Sequence, residues 1–198
     1  MTNYSNDVIM FLFWSITMTR SMSLVVLVAV YFVLQQLHQF RQAITIQTHA
    51  TMESIFEQVK PIKLTKKELD CLTRNVFYEA GTEEPVGKIA VAQTTLNRVK
   101  TGYWGHNVCS VVYAPKQFSW TRDSRAYTEP KGELWEETKL AVSTVIDNGM
   151  RIKQLKTALF YHADYVDPKW RDDTKRIAQY GTHIFYTGGK DSWIAVNL

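Results

Sequence analysis

Two cysteines in 198 residues, Cys71 and Cys109, are too few for a disulfide framework and too far apart for a zinc ribbon or a CxxC redox pair. No HExxH or comparable spacing organises the histidines, so no metal and no cofactor is expected. The formal net charge of +4 suits an anionic polymer, a membrane surface or nucleic acid alike. Basic residues never form a run of five, however, and no nucleic acid is expected as a partner. There is no internal repeat and no low-complexity tract, and a monomer is the simplest expectation.

What is present is an apolar share of 45%, ample for one packed domain plus an appendage. The appendage is N-terminal. From Val8 to Leu34 the residues are mostly apolar, and Met22 to Leu34, MSLVVLVAVYFVL, carries no charge. Helix over that run covers roughly 20 Å, and its shoulders or part of Val8 to Met18 extend it across a hydrocarbon core. No small-x-small cleavage pattern follows, because QQLHQFRQA is bulky and polar. Residues 1–37 are therefore expected to be an uncleaved signal anchor; a cleaved signal and an interfacial helix are the alternatives. Residues 38–63, polar and glutamine-rich with a weak apolar pattern at Met52, Ile55, Phe56 and Val59, are expected to be a linker or stalk ending near Pro61.

A folded domain is expected over residues 64–198. Thr65 and Glu68 form a capping box, followed by Leu69, Leu72 and Val76 at helical spacing, and Gly81 ends that helix. Pro85 opens a second helix running to about Val99, with Val86, Ile89, Ala90 and Leu96 on its buried face. A short helix is expected at Val108 to Tyr113, and an irregular aromatic loop over Ala114 to Lys131. A third helix covers Glu133 to Asn148 with Leu134, Leu140, Ala141, Val145 and Ile146 inward, stopped at Asn148 and Gly149. Ala158 to His162 and His183 to Tyr186 read as two short, paired strands.

The stretch Arg74 to Val99, RNVFYEAGTEEPVGKIAVAQTTLNRV, places one carboxylate, Glu79, among Val76, Phe77, Tyr78 and Ala80. Desolvation disfavours the charged form of such a group, so it keeps its proton to higher pH, as a general acid must. With QFSW at Gln117 to Trp120, ALFYHADYV at Ala158 to Val166 and GTHIFY at Gly181 to Tyr186, this stretch resembles the SleB-type cell wall hydrolases, the spore cortex-lytic enzymes of bacteria and their phages. The resemblance runs from about Leu69 to Tyr186. In that family the motif reads aromatic, any residue, Glu, Ala, Arg, any residue, Glu, then a glycine four residues on. Phe77, Glu79, Ala80, Glu83 and Gly87 match it, and Gly81 stands where the family has arginine.

The resemblance implies an α+β fold, mainly α-helical: a lysozyme-like catalytic domain with a small β element, here preceded by an N-terminal transmembrane helix. It implies cleavage of peptidoglycan glycan strands between MurNAc and GlcNAc, as lytic transglycosylase or muramidase, in a phage endolysin or a wall-remodelling enzyme. Glu79 is the expected acid and Glu83 a candidate second carboxylate, with an acid favouring a helix N-terminus as the rival reading. Gln117, Trp120, Tyr161 and His162 are candidate substrate contacts, with a structural role the rival for His162; Phe118 and His183 read as structural, and Asn97 and Arg98 as an internal hydrogen-bonding pair. Cysteines flanking the catalytic segment imply a Cys71–Cys109 disulfide, against two buried thiols. Localisation follows from the substrate: inner-membrane anchored, with the catalytic domain in the periplasm. Two other classes remain open, a zinc amidase drawing on His106, His162, Asp164 and His183, and a noncatalytic, membrane-tethered wall-binding protein.

Overall fold

No glycine or proline interrupts the first sixty residues, and helix α1 runs unbroken over Tyr4–Ile55. A computed structural model describes residues 4–188. The chain divides into two units, Met1–Ser54 and Ile55–Leu198. Within α1 the segment Leu24–Ile55 contains an 18-residue window of mean hydropathy 1.3 with none of it buried, long and apolar enough to cross a membrane. The helix continues through the expected linker, where Thr45, Thr48 and Thr51 each return a hydroxyl hydrogen bond to the carbonyl four residues back and so satisfy their hydroxyls within it.

The nine residues before Leu64, 55–63, belong to the second unit. Phe56–Gln58 forms strand β1, paired antiparallel with β2, Met150–Ile152, in the register Phe56 to Ile152. Beyond it the Val59 amide donates to the Gly149 carbonyl at 2.8 Å, and the Ile62 amide to that of Ile146 at 3.0 Å. Ile55, Phe56, Ile62 and Leu64 pack against the core, so the folded unit begins earlier than the sequence suggested. Gly149 permits this: its φ is 67°, and a Cβ there would lie 1.8 Å from the Val59 carbonyl oxygen.

Four helices form the rest of the core. Helix α2, Lys66–Ala80, starts at the Thr65–Glu68 capping box, and α3, Pro85–Thr101, has proline in its first turn and left-handed Gly102 at its end. Helix α4, Val108–Val112, is capped by Asn107, and α5 spans Glu133–Ile146. A disulfide joins Cys71 on α2 to Cys109 on α4, with 5.3 Å between their Cα atoms. Helix α3 is buried all round from Gly87 to Arg98, not on one face, and its polar side chains are absorbed by hydrogen bonds. The Gln93 amide pairs with both the N–H and the C=O of Ile152, Asn97 donates to the Leu155 and Ala158 carbonyls, and Thr94 and Thr95 bond back along the helix. On α5 the inward stripe is Thr138, Ala141, Val142, Val145 and Ile146; Leu140 turns outward at 70% exposure and Leu134 is exposed, as is Leu69 on α2. The true stripe follows the 3.6-residue period through Thr138, a residue that hydropathy alone passes over.

A three-stranded antiparallel sheet completes the unit in the order β3-β5-β4, from Phe160–Ala163, His183–Gly188 and Thr174–Tyr180. Tyr161 faces Phe185 across β3 and β5, and a bulge between Arg176 and Ala178 shifts the register of β4. The aromatic loop forms two short 3-10 turns, Ser119–Arg122 and Ser124–Tyr127, and sends Phe118 and Trp120 into the core.

A chain shortened to begin at Ser54 should fold as the parent does, whereas one beginning at Leu64 loses β1 and the packing of Ile55, Phe56 and Ile62. The expected drop in Tm between the two is at least roughly 5 °C. Equal melting temperatures would show that residues 55–63 contribute nothing to the folded unit.

Candidate active site

Leu72, Val76 and Glu79 recur at spacings of four and three along α2, so Glu79 occupies the helix's inward stripe in its last turn. Its Oε2 accepts a hydrogen bond from the Tyr161 hydroxyl at 3.2 Å, the Tyr161 side chain being turned inward from β3. Burial holds the Glu79 carboxyl above its ordinary value of 4.5, while the Tyr161 hydrogen bond and the charge of Arg98 pull it back part of the way. Burial, with the Glu79 charge adding to it, likewise raises Tyr161 well above 10.0, so its hydroxyl keeps its proton and donates. The result is a carboxyl that burial makes weaker as an acid, yet equipped with two groups that ease its anion.

Arg98, on α3, is only 7% exposed. Its Nε donates to the Leu159 carbonyl at 2.7 Å, and its guanidinium lies 5.0 Å from the centre of the Trp104 ring and 5.3 Å from that of Phe118. Burial lowers its pKa, and the proximity of Tyr161 and Glu79 opposes that shift. Arg98 thus does more than bond internally: its charge opposes the burial-driven rise at Glu79, an effect between two helices that local spacing does not reveal. Gln117 reaches this group through Arg98 Nη1, at 3.5 Å from its Oε1.

Three of the candidate residues are engaged within the fold. Trp120 is 2% exposed, its indole N–H donates to Asn75 Oδ1 at 3.1 Å, and its ring stacks on Tyr78 at 4.7 Å. It offers no face to a ligand; it fixes α2 from below. His162 is also buried, on the opposite face of β3 from Tyr161. Its Nδ1–H donates to the Ala163 carbonyl and its Nε2 accepts from the Tyr186 hydroxyl, both at 2.9 Å, so both ring nitrogens are occupied. His162 is a structural histidine and not a contact at the Glu79 site.

Glu83 is committed too. Its carboxylate accepts from the Thr182 hydroxyl and from the Thr182 amide, 3.3 Å from each oxygen, and lies 3.6 Å from His183 Nδ1. Gly181 between β4 and β5 makes room: its φ is 59°, and a Cβ there would lie 1.7 Å from Glu83 Oε2. The Glu83 carbonyl accepts from buried Lys88 at 2.6 Å, and Lys88 also pairs with Glu137 on α5 at 3.1 Å. Glu83 therefore clasps the β4–β5 turn to the α2–α3 connection instead of standing open as a second reactive carboxylate. The His183 ring meets Tyr161 edge-on at 5.2 Å, which connects the clasp to the hydroxyl on Glu79. Among the described residues no group of three His, Cys, Asp or Glu side chains is arranged to hold a metal.

The cell wall hydrolase family matches residues 82–186, more than half of the chain, and the chain belongs to that family. The spore cortex-lytic enzyme of Bacillus cereus is 29% identical over 126 residues, covering 63% of this chain and 46% of the relative. That of Oceanobacillus iheyensis is 26% identical over 126 residues, covering 63% and 43%. The chain thus spans less than half the length of these curated relatives. Among solved structures, the catalytic domain of the Bacillus cereus SleB protein shares 27% identity at a TM-score of 0.54, over 64% of this chain and 94% of that one. The catalytic domain of the germination-specific lytic transglycosylase SleB from Bacillus anthracis shares 27% at 0.55, over 65% and 100%. The α+β fold is theirs.

The raised Glu79 pKa carries a stability consequence with a definite sign. A carboxyl raised on folding stabilises fully below its unfolded value of about 4.5, and that contribution is lost as pH rises through the folded value. Glu79→Gln keeps the shape and an acceptor for Tyr161 without the buried charge. The variant should melt no lower than the parent at about pH 7, with any advantage shrinking toward acid; a Tm clearly below the parent at neutral pH would contradict the burial argument.

Proposed function

We propose that the chain cleaves peptidoglycan glycan strands between MurNAc and GlcNAc as a lytic transglycosylase, with Glu79 alone moving the protons. The observation that carries this reading is one half-buried carboxyl, its pKa raised by burial and its Oε2 bonded by the Tyr161 hydroxyl, beside a second carboxylate, Glu83, already bound to the Thr182 turn. The family match begins at Thr82, so the role of Glu79 rests on this geometry and on the motif around it.

The Glu79 carboxyl donates its proton to the glycosidic oxygen, the bond from that oxygen to C1 of the muramic sugar breaks, and positive charge develops at C1. Glu79 is then a carboxylate, stabilised by the Tyr161 hydroxyl and by Arg98. It takes the proton of the sugar's own 6-hydroxyl as that oxygen closes on C1, giving a 1,6-anhydro end and restoring the acid. A hydrolytic muramidase would need a second group to activate water or to trap the sugar. Glu83 does not serve, because its oxygens are occupied by Thr182. We read Glu83 as a positioning residue that holds the sheet, and with it Tyr161, against α2. Gln117 positions Arg98.

The same reading places the N-terminal helix in the inner membrane as an uncleaved anchor, with the catalytic unit on the periplasmic side. Its support is the apolar segment Leu24–Ile55 together with a substrate that lies outside that membrane.

Glu79→Gln should lower turnover of purified glycan by at least about 100-fold with the fold retained. Mass spectrometry of the parent's products should show anhydro-muramic ends; reducing muramic ends would establish hydrolysis, and free stem peptides an amidase. Tyr161→Phe removes a hydrogen bond that lowers the Glu79 pKa, so the alkaline limb of the activity profile should move to higher pH, with kcat reduced about tenfold or more. A limb that moves to lower pH would remove Tyr161 from the site.

A further inference from the structure

Only one face of the three-stranded sheet serves Glu79. Side chains alternate along a strand, so Phe160 and His162 point away from the face that carries Tyr161, and their cross-strand partners Tyr186 and Ile184 join them. On this outer face lies a cavity of about 450 Å³, floored by His162, Ile184 and Tyr186 and walled by Arg176 and by the loop carrying Asp164, Asp167 and Arg171.

The charges in that wall are unequal in kind. Arg171 is neutralised locally, by Asp167 and by Asp172 at 3.2 Å. Arg176 and Asp164 are not. The amide of Gln179 accepts from Arg176 Nη2 at 3.0 Å through its oxygen, and its nitrogen lies 3.5 Å from Asp164 Oδ2. A neutral amide that bonds the cation and reaches the anion, while sharing its nitrogen with the Gly181 carbonyl at 3.4 Å, cancels neither charge, and among the described residues neither exposed group has an oppositely charged partner in contact. Beneath them the polar atoms of the floor are already engaged, since the Tyr186 hydroxyl and both nitrogens of His162 are bonded to one another and to Ala163. The cavity thus presents one oriented positive group and one oriented negative group above an apolar and aromatic base, which is the complement of a zwitterion.

We propose that this cavity is a second, noncatalytic subsite that takes a zwitterionic amino-acid end, its carboxylate on Arg176 and its ammonium on Asp164. The inference rests on the reading that the chain acts on peptidoglycan, and it names the part of the wall concerned: the diamino acid of a stem peptide, which carries a free carboxylate and a free ammonium on one carbon. Such a subsite holds the wall by its peptide on one face of the sheet while the glycan reacts on the other, raising residence without touching the chemistry.

The test uses the full chain in detergent micelles, titrated calorimetrically with a free stem tripeptide ending in meso-diaminopimelate, and with the same peptide after acetylation of its amine or amidation of its carboxylates. Saturable binding is expected, weakened tenfold or more by Arg176→Gln, by Asp164→Asn and by either blocked peptide. Amidation should cost the Arg176→Gln protein little further, and Arg176→Lys should recover part of the affinity. On intact wall Arg176→Gln should raise KM severalfold with kcat unchanged, and on peptide-free glycan it should change neither. Absence of binding, or binding indifferent to both substitutions and both blocked peptides, overturns the subsite. If a variant fails to fold, the blocked peptides on the parent decide the matter. Parent protein that leaves peptide-free glycan uncleaved would instead overturn glycan cleavage, a result readable separately from the peptide titration.

Discussion

Desolvation of the Glu79 carboxyl sets what its neighbours have to do. A carboxyl on the inward stripe of α2 is destabilised as an anion, and an acid that can never become an anion is useless after it has given up its proton. Tyr161 and Arg98 resolve that conflict, and each depends on a different part of the fold. Arg98 can sit beside Glu79 because α3 is buried all round, with its guanidinium held by the Leu159 carbonyl and by the rings of Trp104 and Phe118. Tyr161 arrives on β3, and β3 is held through β5 to the turn that Glu83 clasps. Lys88 in turn fixes the Glu83 backbone and reaches Glu137 on α5. The acid, the cation and the sheet therefore form one connected arrangement.

Gly81 brings no side chain to this arrangement. The family motif places arginine there; in this chain a Cβ at that position would lie 2.4 Å from the Phe77 carbonyl oxygen, and no side chain extends. The positive charge felt by Glu79 comes from Arg98, whose approach is from the neighbouring helix. Burial on all sides makes that charge effective, since a guanidinium screened by water would do little at the same distance.

Local chemistry made much of this legible in the sequence. The Thr65–Glu68 capping box, Pro85 at the start of α3 and the turn at Gly149 are short-range signals, and the helices begin and end where those residues require. Glu79 stood out because it is a carboxylate among apolar and aromatic neighbours, in a last helical turn that disfavours acids. What stayed hidden depends on contacts between distant segments. The three residues of β1 carry no strand pattern of their own and are defined by pairing with Met150–Ile152. Thr174 to Tyr180, TKRIAQY, alternates too weakly to announce β4. Trp120 read as a surface platform because a polar, aromatic loop resembles a groove wall, and only the Asn75 acceptor and the Tyr78 ring show why it is inside. Glu83 matched a motif position whose role no spacing specifies; the partner that defines it, Thr182, lies at the far end of the domain's sequence.

The most direct test of the account is the titration of Glu79 itself. Carbon-13 NMR of glutamate-labelled protein, with the Glu79 resonance assigned by its loss in Glu79→Gln, reads the carboxyl's midpoint without recourse to activity. Burial against Tyr161 and Arg98 predicts a midpoint above 4.5. A midpoint at or below that value would mean that Glu79 is an ordinary ionised carboxylate at neutral pH, and the assignment of the general acid would fall.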